Sequence, residues 1–223
     1  MAPPEQEPKE ELTHDEQGRL RERKFTLDGK LEGEYTSFFA KGQVMVRMHL
    51  RGGLKEGEAV AYYPDGTVRE KGFFRNNKLE GEYTSYYENG QVREREYYVN
   101  GLLDGLYAFY FRNGQVRDEE IFRKGRFDGE YRSHYKSGQL REKGSFRNDE
   151  RDGEYLAYDR SGRLREKAFY RNGKLVGKFM TFEPDGAAGT GERDASEETE
   201  KFREEREKEV DNLLKNLRNF DRK

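Results

Sequence analysis

Residues 81–104 read Gly-Glu-Tyr-Thr-Ser-Tyr-Tyr-Glu-Asn-Gly-Gln-Val-Arg-Glu-Arg-Glu-Tyr-Tyr-Val-Asn-Gly-Leu-Leu-Asp, and at Gly105 the same text begins again. The leading glycine falls at Gly33, Gly57, Gly81, Gly105, Gly129, Gly153 and Gly177. A second glycine falls at Gly42, Gly66, Gly90, Gly114, Gly138, Gly162 and Gly186. Every gap is 24 residues, without insertion or deletion. A fixed period of this size belongs to stacked repeats, in which each unit buries its apolar face against its neighbours.

Each unit reads as two strands. The first, Gly-Glu-Tyr-x-x-aromatic-aromatic, ends at Asp65-Gly66, Asn89-Gly90, Asn113-Gly114, Ser137-Gly138, Ser161-Gly162 or Asp185-Gly186. Asn-Gly and Asp-Gly tolerate positive φ at both central positions of a type I′ hairpin. The second strand, Gln/Arg-Val/Leu-Arg-Glu-x-x-aromatic-aromatic, ends at Asn76-Asn77, Asn100-Gly101, Lys124-Gly125, Asn148-Asp149 or Asn172-Gly173. A two-residue turn at Asn89-Gly90 sets Tyr87 against Val92, Tyr86 against Arg93, Ser85 against Glu94 and Tyr83 against Glu96. A second at Asn100-Gly101 sets Tyr98 against Leu103 and Glu96 against Gly105. Side chains alternate along a strand. One face therefore carries Tyr83, Ser85, Tyr87, Val92, Glu94, Glu96, Tyr98 and Leu103, and it is the expected core. The opposite face carries Glu82, Tyr86, Arg93, Arg95 and Tyr97. On this register Gly72 meets Gly81, and Gly144 meets Gly153.

The fold expected is all-β: an elongated, twisted antiparallel β-hairpin repeat array of 24-residue period, with one C-terminal amphipathic helix. Roughly fourteen strands at about 4.8 Å spacing make a sheet on the order of 65 Å long. Four segments follow. Residues 1–17 carry six acids and one lysine and read as a disordered acidic arm. Residues 18–186 are about seven repeat units, the first a half unit whose Gly18–Phe25 stretch begins the sheet as an edge strand. Residues 187–193 read as a flexible linker. Residues 194–223 read as a helix, opened by Asp194 with Glu197 three residues later. Its apolar stripe is Phe202, Val210, Leu213, Leu214, Leu217 and Phe220, at helical spacing. That stripe either caps the last hairpin or forms a docking surface for a partner.

Composition excludes several classes. The chain has 223 residues and is 39% charged, a polarity that by itself suits a disordered chain. Nearly all of its 15 Tyr and 15 Phe nevertheless hold fixed repeat phases, which disorder does not produce. With no cysteine there is no disulfide and no thiolate metal site. The repeat region is only mildly basic, about +5 by difference from the net charge of −2, so no nucleic-acid footprint is present. No signal peptide and no membrane-length apolar run is seen, so a cytoplasmic protein is expected.

Catalytic chemistry has no foothold in the pattern. His14, His49 and His134 fall in different units at drifting positions, without metal-ligand spacing. The carboxylates recur in phase: Glu70, Glu94, Asp118, Glu142 and Glu166 in one series, Glu34, Glu58, Glu82, Glu130 and Glu154 in another. An acid–base pair breaks symmetry; these series do not. No enzyme, metal or cofactor is expected. One surface remains. Arg69, Arg93, Arg117, Arg141 and Arg165 form one ladder, and Arg51, Arg75, Arg123, Arg147 and Arg171 a second on the same face. Tyr62, Tyr86, Tyr110 and Tyr158 lie opposite the first. Arg over Tyr makes a cation–π pair and suits a protein interface. The alternatives are a solvated face with cross-strand pairs, or a site for anionic lipid or nucleic acid.

The unit Gly-Glu-Tyr-x-x-Tyr-Tyr-x-Asn-Gly-Gln-Val-Arg-Glu-x-x-Tyr-x-x-Asn-Gly-x-Leu-x-Gly resembles the MORN-variant repeat of bacterial proteins assigned to the YwqK family of antitoxins. The resemblance covers residues 18–186. It implies a non-enzymatic protein-binding module, an antitoxin or immunity-like protein that holds or neutralises a partner protein by steric occlusion. The alternative it implies is a scaffold or adaptor in a defence or membrane-associated assembly. The candidate contact residues are Tyr62, Arg69, Tyr86, Arg93, Tyr110, Arg117 and Arg141 on the repeats, and the Phe202–Phe220 stripe. The identity of the partner and the oligomeric state are not set by the sequence.

Overall fold

A computed structural model describes residues 7–183 and 188–191. It divides into two units, Met1–Gly125 and Arg126–Lys223. Each is an antiparallel hairpin-repeat sheet. In the first, strands Lys9–His14, Leu20–Leu27, Gly33–Phe38, Val44–Arg51, Leu54–Tyr62, Val68–Arg75, Gly81–Tyr86, Val92–Val99, Gly105–Tyr110 and Val116–Arg123 pair in chain order. In the second the order is Arg126–His134, Leu140–Arg147, Gly153–Tyr158, Leu164–Arg171, Phe179–Phe182 and Ala188–Gly191. The all-β class and the 24-residue hairpin period are as expected.

The two kinds of turn differ. At Asn100-Gly101 both residues have positive φ, 52° and 81°, and Val99 pairs with Leu102 as a two-residue type I′ hairpin demands. Asn76-Asn77, Asn148-Asp149 and Asn172-Gly173 do the same. At Asn89-Gly90 the expectation fails. Only Gly90 has positive φ, 80°. Gly90 N donates to Tyr87 O at 2.9 Å and Tyr87 N to Gln91 O at 2.8 Å. This is a three-residue loop, a type I turn closed by a left-handed glycine. Tyr86 consequently faces Val92, not Arg93, and the register shifts between Val92 and Glu94. Arg93 is the extra residue of a β-bulge. Beyond the bulge Ser85 meets Glu94 and Tyr83 meets Glu96, as read from the sequence. The wider loop and the bulge cancel, so the core face was assigned correctly from a wrong turn. The same shift recurs in each of the hairpins Lys9–Leu27, Gly33–Arg51, Leu54–Arg75, Gly105–Arg123, Arg126–Arg147 and Gly153–Arg171.

The expected core face is buried beyond the bulge: Tyr83, Ser85, Glu94, Glu96, Tyr98 and Leu103 are each less than a tenth exposed, whereas Tyr87 and Val92, on the turn side of it, are half-buried. Rings meet edge to face within it, Tyr83 on Tyr98 at 6.4 Å and Tyr155 on Tyr170 at 6.4 Å. The expected glycine pairs do not form. Glu70 pairs with Ser85, so Gly72 lies beside Tyr83. A Cβ on Gly72 would come within 3.0 Å of the Tyr83 ring and of Leu79. Gly144 likewise gives room to Tyr155. The leading glycines instead take positive φ, as Gly81 does at 79°, where the strand resumes after its turn.

Successive units are joined by backbone as well as side chains. Gly53 N donates to Leu31 O, Asn77 N to Lys55 O, Gly101 N to Leu79 O and Gly125 N to Leu103 O, at 2.7–3.1 Å. Carboxylates preceding the leading glycines cap the next turn: Glu32 accepts from Gly52 N, Glu56 from Asn76 N and Glu80 from Asn100 N. Each turn is thus bonded to the unit before it. One inserted residue would break that match, which accounts for the invariant period.

Two boundaries change. Lys9–His14, expected to be a disordered arm, is a strand paired with Leu20–Leu27, so Gly18–Phe25 is not the edge. The cause is the Asp15–Arg19 turn. Asp15 Oδ1 accepts from Gln17 N and Arg19 N, and Gly18 N donates to Asp15 O. That loop is the one Asp159 makes with Ser161 and Arg163 six periods later. Ala188–Gly191, expected as linker, pairs with Phe179–Phe182. A Cβ on Gly189 would lie 2.9 Å from Thr181 Oγ1, so the small residues permit close pairing. The expected helix, residues 194–223, lies outside the described residues, as do Phe202, Val210, Leu213, Leu214, Leu217 and Phe220.

Candidate functional site

The bulge decides where the first arginine ladder points. An extra residue escapes the alternation of the strand, and at four bulges its arginine turns onto the carboxylate that follows it. Arg69 reaches Glu70 at 2.9 Å, Arg93 reaches Glu94 at 2.9 Å, Arg117 reaches Asp118 at 2.6 Å and Arg141 reaches Glu142 at 2.6 Å. These carboxylates belong to the core face, their side chains 8–16% exposed. Arg93 Nε also donates to Ser85 Oγ at 3.3 Å, and Ser85 donates to Glu94. The expected Arg/Tyr face therefore does not form. Tyr62, Tyr86 and Tyr110 pair with Val68, Val92 and Val116 and are half-buried. Cation–π contacts exist with other rings: Arg117 lies 3.8 Å over Phe109 and Arg112 5.2 Å over Tyr87.

A repeated inner cluster results. Glu70 and Glu142 each take the arginine from their own strand and a tyrosine from the next repeat, and Glu22 takes the tyrosine. Tyr35 donates to Glu22, Tyr83 to Glu70 and Tyr155 to Glu142, all at 2.8–2.9 Å. Glu142 also accepts from Tyr131 at 2.9 Å and Ser133 at 3.1 Å. Burial alone would raise the Glu142 pKa. Hydrogen bonds from Arg141, Tyr131 and Tyr155 outweigh it, and the carboxyl sits below its ordinary value. Burial and then Glu70 push the Tyr83 phenol far up. Burial and the Glu22 carboxylate push Tyr35 up to about 12. Among the described residues no group of three or more His, Asp or Glu side chains is placed to hold a metal ion.

The second arginine ladder is on the outer face as expected: Arg51, Arg75, Arg123, Arg147 and Arg171 are exposed. That face carries parallel rows across the first unit. One holds Arg47, Lys71 and Arg95, linked through Val60 and Thr84. The next holds Glu34 against His49, Glu58 against Phe73, Glu82 against Tyr97 and Leu106 against Ile121. The third pairs Arg51 with Leu54, Arg75 with Lys78 and Val99 with Leu102. Phe73 and Tyr97 stand 44% and 49% exposed, and Phe169 of the second unit 44%. Sequence reading placed Tyr97 on this face but did not single it out. The available signal was an aromatic residue at a phase of outward parity.

With this geometry in view, the repeat can be compared with known ones. The model of the MORN repeat variant matches residues 55–76, 79–100, 127–148 and 151–172. The chain carries MORN repeat variants. The starts of these MORN segments are spaced by one or two of the same periods, and residues 101–126 lie between the second and third. No curated protein matches the chain. Two solved structures are similar in part. One is described as the GtfA/B complex bound to UDP and GlcNAc, at 16% identity over 63% of this chain and 24% of that chain, TM-score 0.21. The other is TcdB2-TccC3-Cdc42, at 12% identity over 80% of this chain and 12% of that chain, TM-score 0.22. The MORN-variant chain thus spans about a quarter and about an eighth of those chains, and scores this low carry no functional argument.

Proposed function

We propose that this MORN-variant chain is a non-enzymatic, cytoplasmic protein-binding module, an antitoxin or immunity-like protein that occludes a partner protein. The outer face carries the reading. In the first unit exposed Phe73 and Tyr97 stand among rows of exposed Arg, Lys and Glu, and in the second Phe169 is exposed on the corresponding face. Aromatic side chains with arginine neighbours are the groups enriched in interface centres. The inner face has little to offer a ligand, because its carboxylates, tyrosines and arginines bond one another. Occlusion asks only that this surface cover the partner's site.

The test is affinity purification from native lysate with the full chain and with a version ending at Gly186, read by quantitative mass spectrometry. One partner at fixed stoichiometry with both versions is expected, and its toxicity should be relieved by co-expression. A partner lost with the truncation would move the site to the C-terminal residues. No stoichiometric partner from either version would overturn the reading.

A further inference from the structure

The outer face departs from the repeat most densely between residues 99 and 106. The phase Glu34, Glu58, Glu82, Glu130, Glu154 holds leucine at Leu106. The phase Arg51, Arg75, Arg123, Arg147, Arg171 holds valine at Val99. The mostly charged phase Lys30, Lys78, Arg126, Glu150, Lys174 holds leucine at Leu54 and at Leu102. Val99, Leu102 and Leu106 fall within eight residues, and the fold gathers them. Val99 pairs with Leu102, and Leu106 pairs with the half-buried Ile121. Asp104 N donates to Tyr97 O at 2.9 Å, which sets Tyr97 against the strand start that carries Leu106. A Cβ on Gly105 would lie 3.1 Å from Tyr97 Cβ, so the ring lies over that glycine. Tyr97, Val99, Leu102 and Leu106 are 49%, 36%, 51% and 51% exposed.

Structural stacking does not need these residues, because other units stack with charges in their place. We infer that this patch is the anchor site of the binding face. Its occupant is a short segment of another protein, with apolar side chains flanked by carboxylates. The inference rests on the protein-binding reading and names the partner's chemistry. Two observations choose the occupant. The first is area. Four partly exposed side chains offer on the order of a few hundred Å² of apolar surface. A stable pairing of two folded copies buries about 800 Å² on each side. The patch fits a segment better than a second copy. The second is charge. The exposed charged side chains around it include the bases Arg75, Lys78 and Arg95 and the acid Glu82, which Arg95 approaches at 3.6 Å. Asp104 and Glu119 are half-buried. The rim is therefore basic, and it favours an acidic segment and disfavours a basic one.

The test uses two labelled amphipathic peptides, one with leucines on one face and glutamates on the other, and one with lysines replacing the glutamates. Binding to the full chain is read by fluorescence anisotropy. The variant combines Val99→Arg, Leu102→Lys and Leu106→Glu. It gives each position a residue its own phase already carries, and its fold is checked by circular dichroism and thermal unfolding. The acidic peptide should bind at least about tenfold tighter than the basic one, with the margin shrinking in high salt. The triple variant should lose about tenfold or more. Equal binding of both peptides, no binding, or binding unchanged in the variant would overturn the inference. So would a dimer in sedimentation that the variant converts to monomer, since a second copy would then be the occupant. In the lysate experiment, a partner recovered equally by the variant overturns this site alone. No partner with the unsubstituted chain overturns the broader reading instead.

Discussion

The Tyr83 hydroxyl donates to Glu70 Oε2 at 2.8 Å, across the joint between two consecutive repeats. Tyr83 is 3% exposed and Glu70 6%. Glu70 also holds Arg69 of its own strand at 2.9 Å. A carboxylate buried this far would be costly alone. Here one unit supplies the acid and its arginine, and the next supplies the phenol. Neither unit completes the cluster without the other, so stacking is enforced by polar groups as well as by rings.

Tyr83→Phe keeps the ring and removes the donor. A hydrogen bond to a charged group is worth about 2 kcal/mol. Urea unfolding of the variant should show a lower midpoint with an unchanged slope. A midpoint equal to that of the unsubstituted chain would mean the phenol contributes nothing across the joint.

Glu142 gathers donors from Arg141, Tyr131, Ser133 and Tyr155. Its truncation to alanine leaves them without their acceptor and should cost about 3 kcal/mol. Those hydrogen bonds hold its folded-state pKa below the ordinary 4.5. The stabilisation is therefore fully present above pH 4.5 and is lost as pH falls through the lower folded value. Unfolding midpoints measured from neutral to acid pH should converge for the chain and for Glu142→Gln. Curves that stay parallel would remove Glu142 from the acid response.

The alkaline side has the opposite sign. Tyr35 is pushed from 10.0 to about 12. The unfolded chain releases this proton near pH 10, while the folded chain keeps it until about pH 12. Stability should fall between those values, and Tyr83 and Tyr98, also raised, add to the loss. Tyrosinate absorbance should then rise together with unfolding. Ionisation that completes before any loss of β-structure would contradict the burial of these phenols.

Gly72→Ala tests the close approach of a ring to a strand. Its φ is not positive, so only the contacts of 3.0 Å with Tyr83 and Leu79 oppose a methyl group. Overpacking of this kind costs about 1–3 kcal/mol. Thermal unfolding should shift down. Adding Tyr83→Ala should relieve part of the penalty, and strict additivity of the two changes would deny their contact.

Much of this was legible in the chain itself. The 24-residue phase, the alternation of Tyr83, Ser85, Glu94, Glu96 and Tyr98, and the Asn100-Gly101 turn are local facts. They determined the hairpin array, the buried face and the type I′ connection, because strand parity and left-handed φ depend on neighbouring residues alone. Lys9–His14 was missed because its Lys-Glu-Glu start carries no aromatic pattern. Yet Gly18 stands in the phase of Gly42, and its turn needs a strand on both sides. The Arg93 ladder was misplaced for a different reason. Counting alternate residues works only while each residue advances the strand by one step. A bulge adds a residue without a partner, and its direction is settled by what lies near it: Ser85 across the hairpin and the Glu94 carboxylate. Likewise, Val99, Leu102 and Leu106 are departures at three different phases of the repeat, and the pairing of strands makes them one surface. Tertiary structure thus decided which charges are spent inside the repeat and which side chains remain outside for a partner.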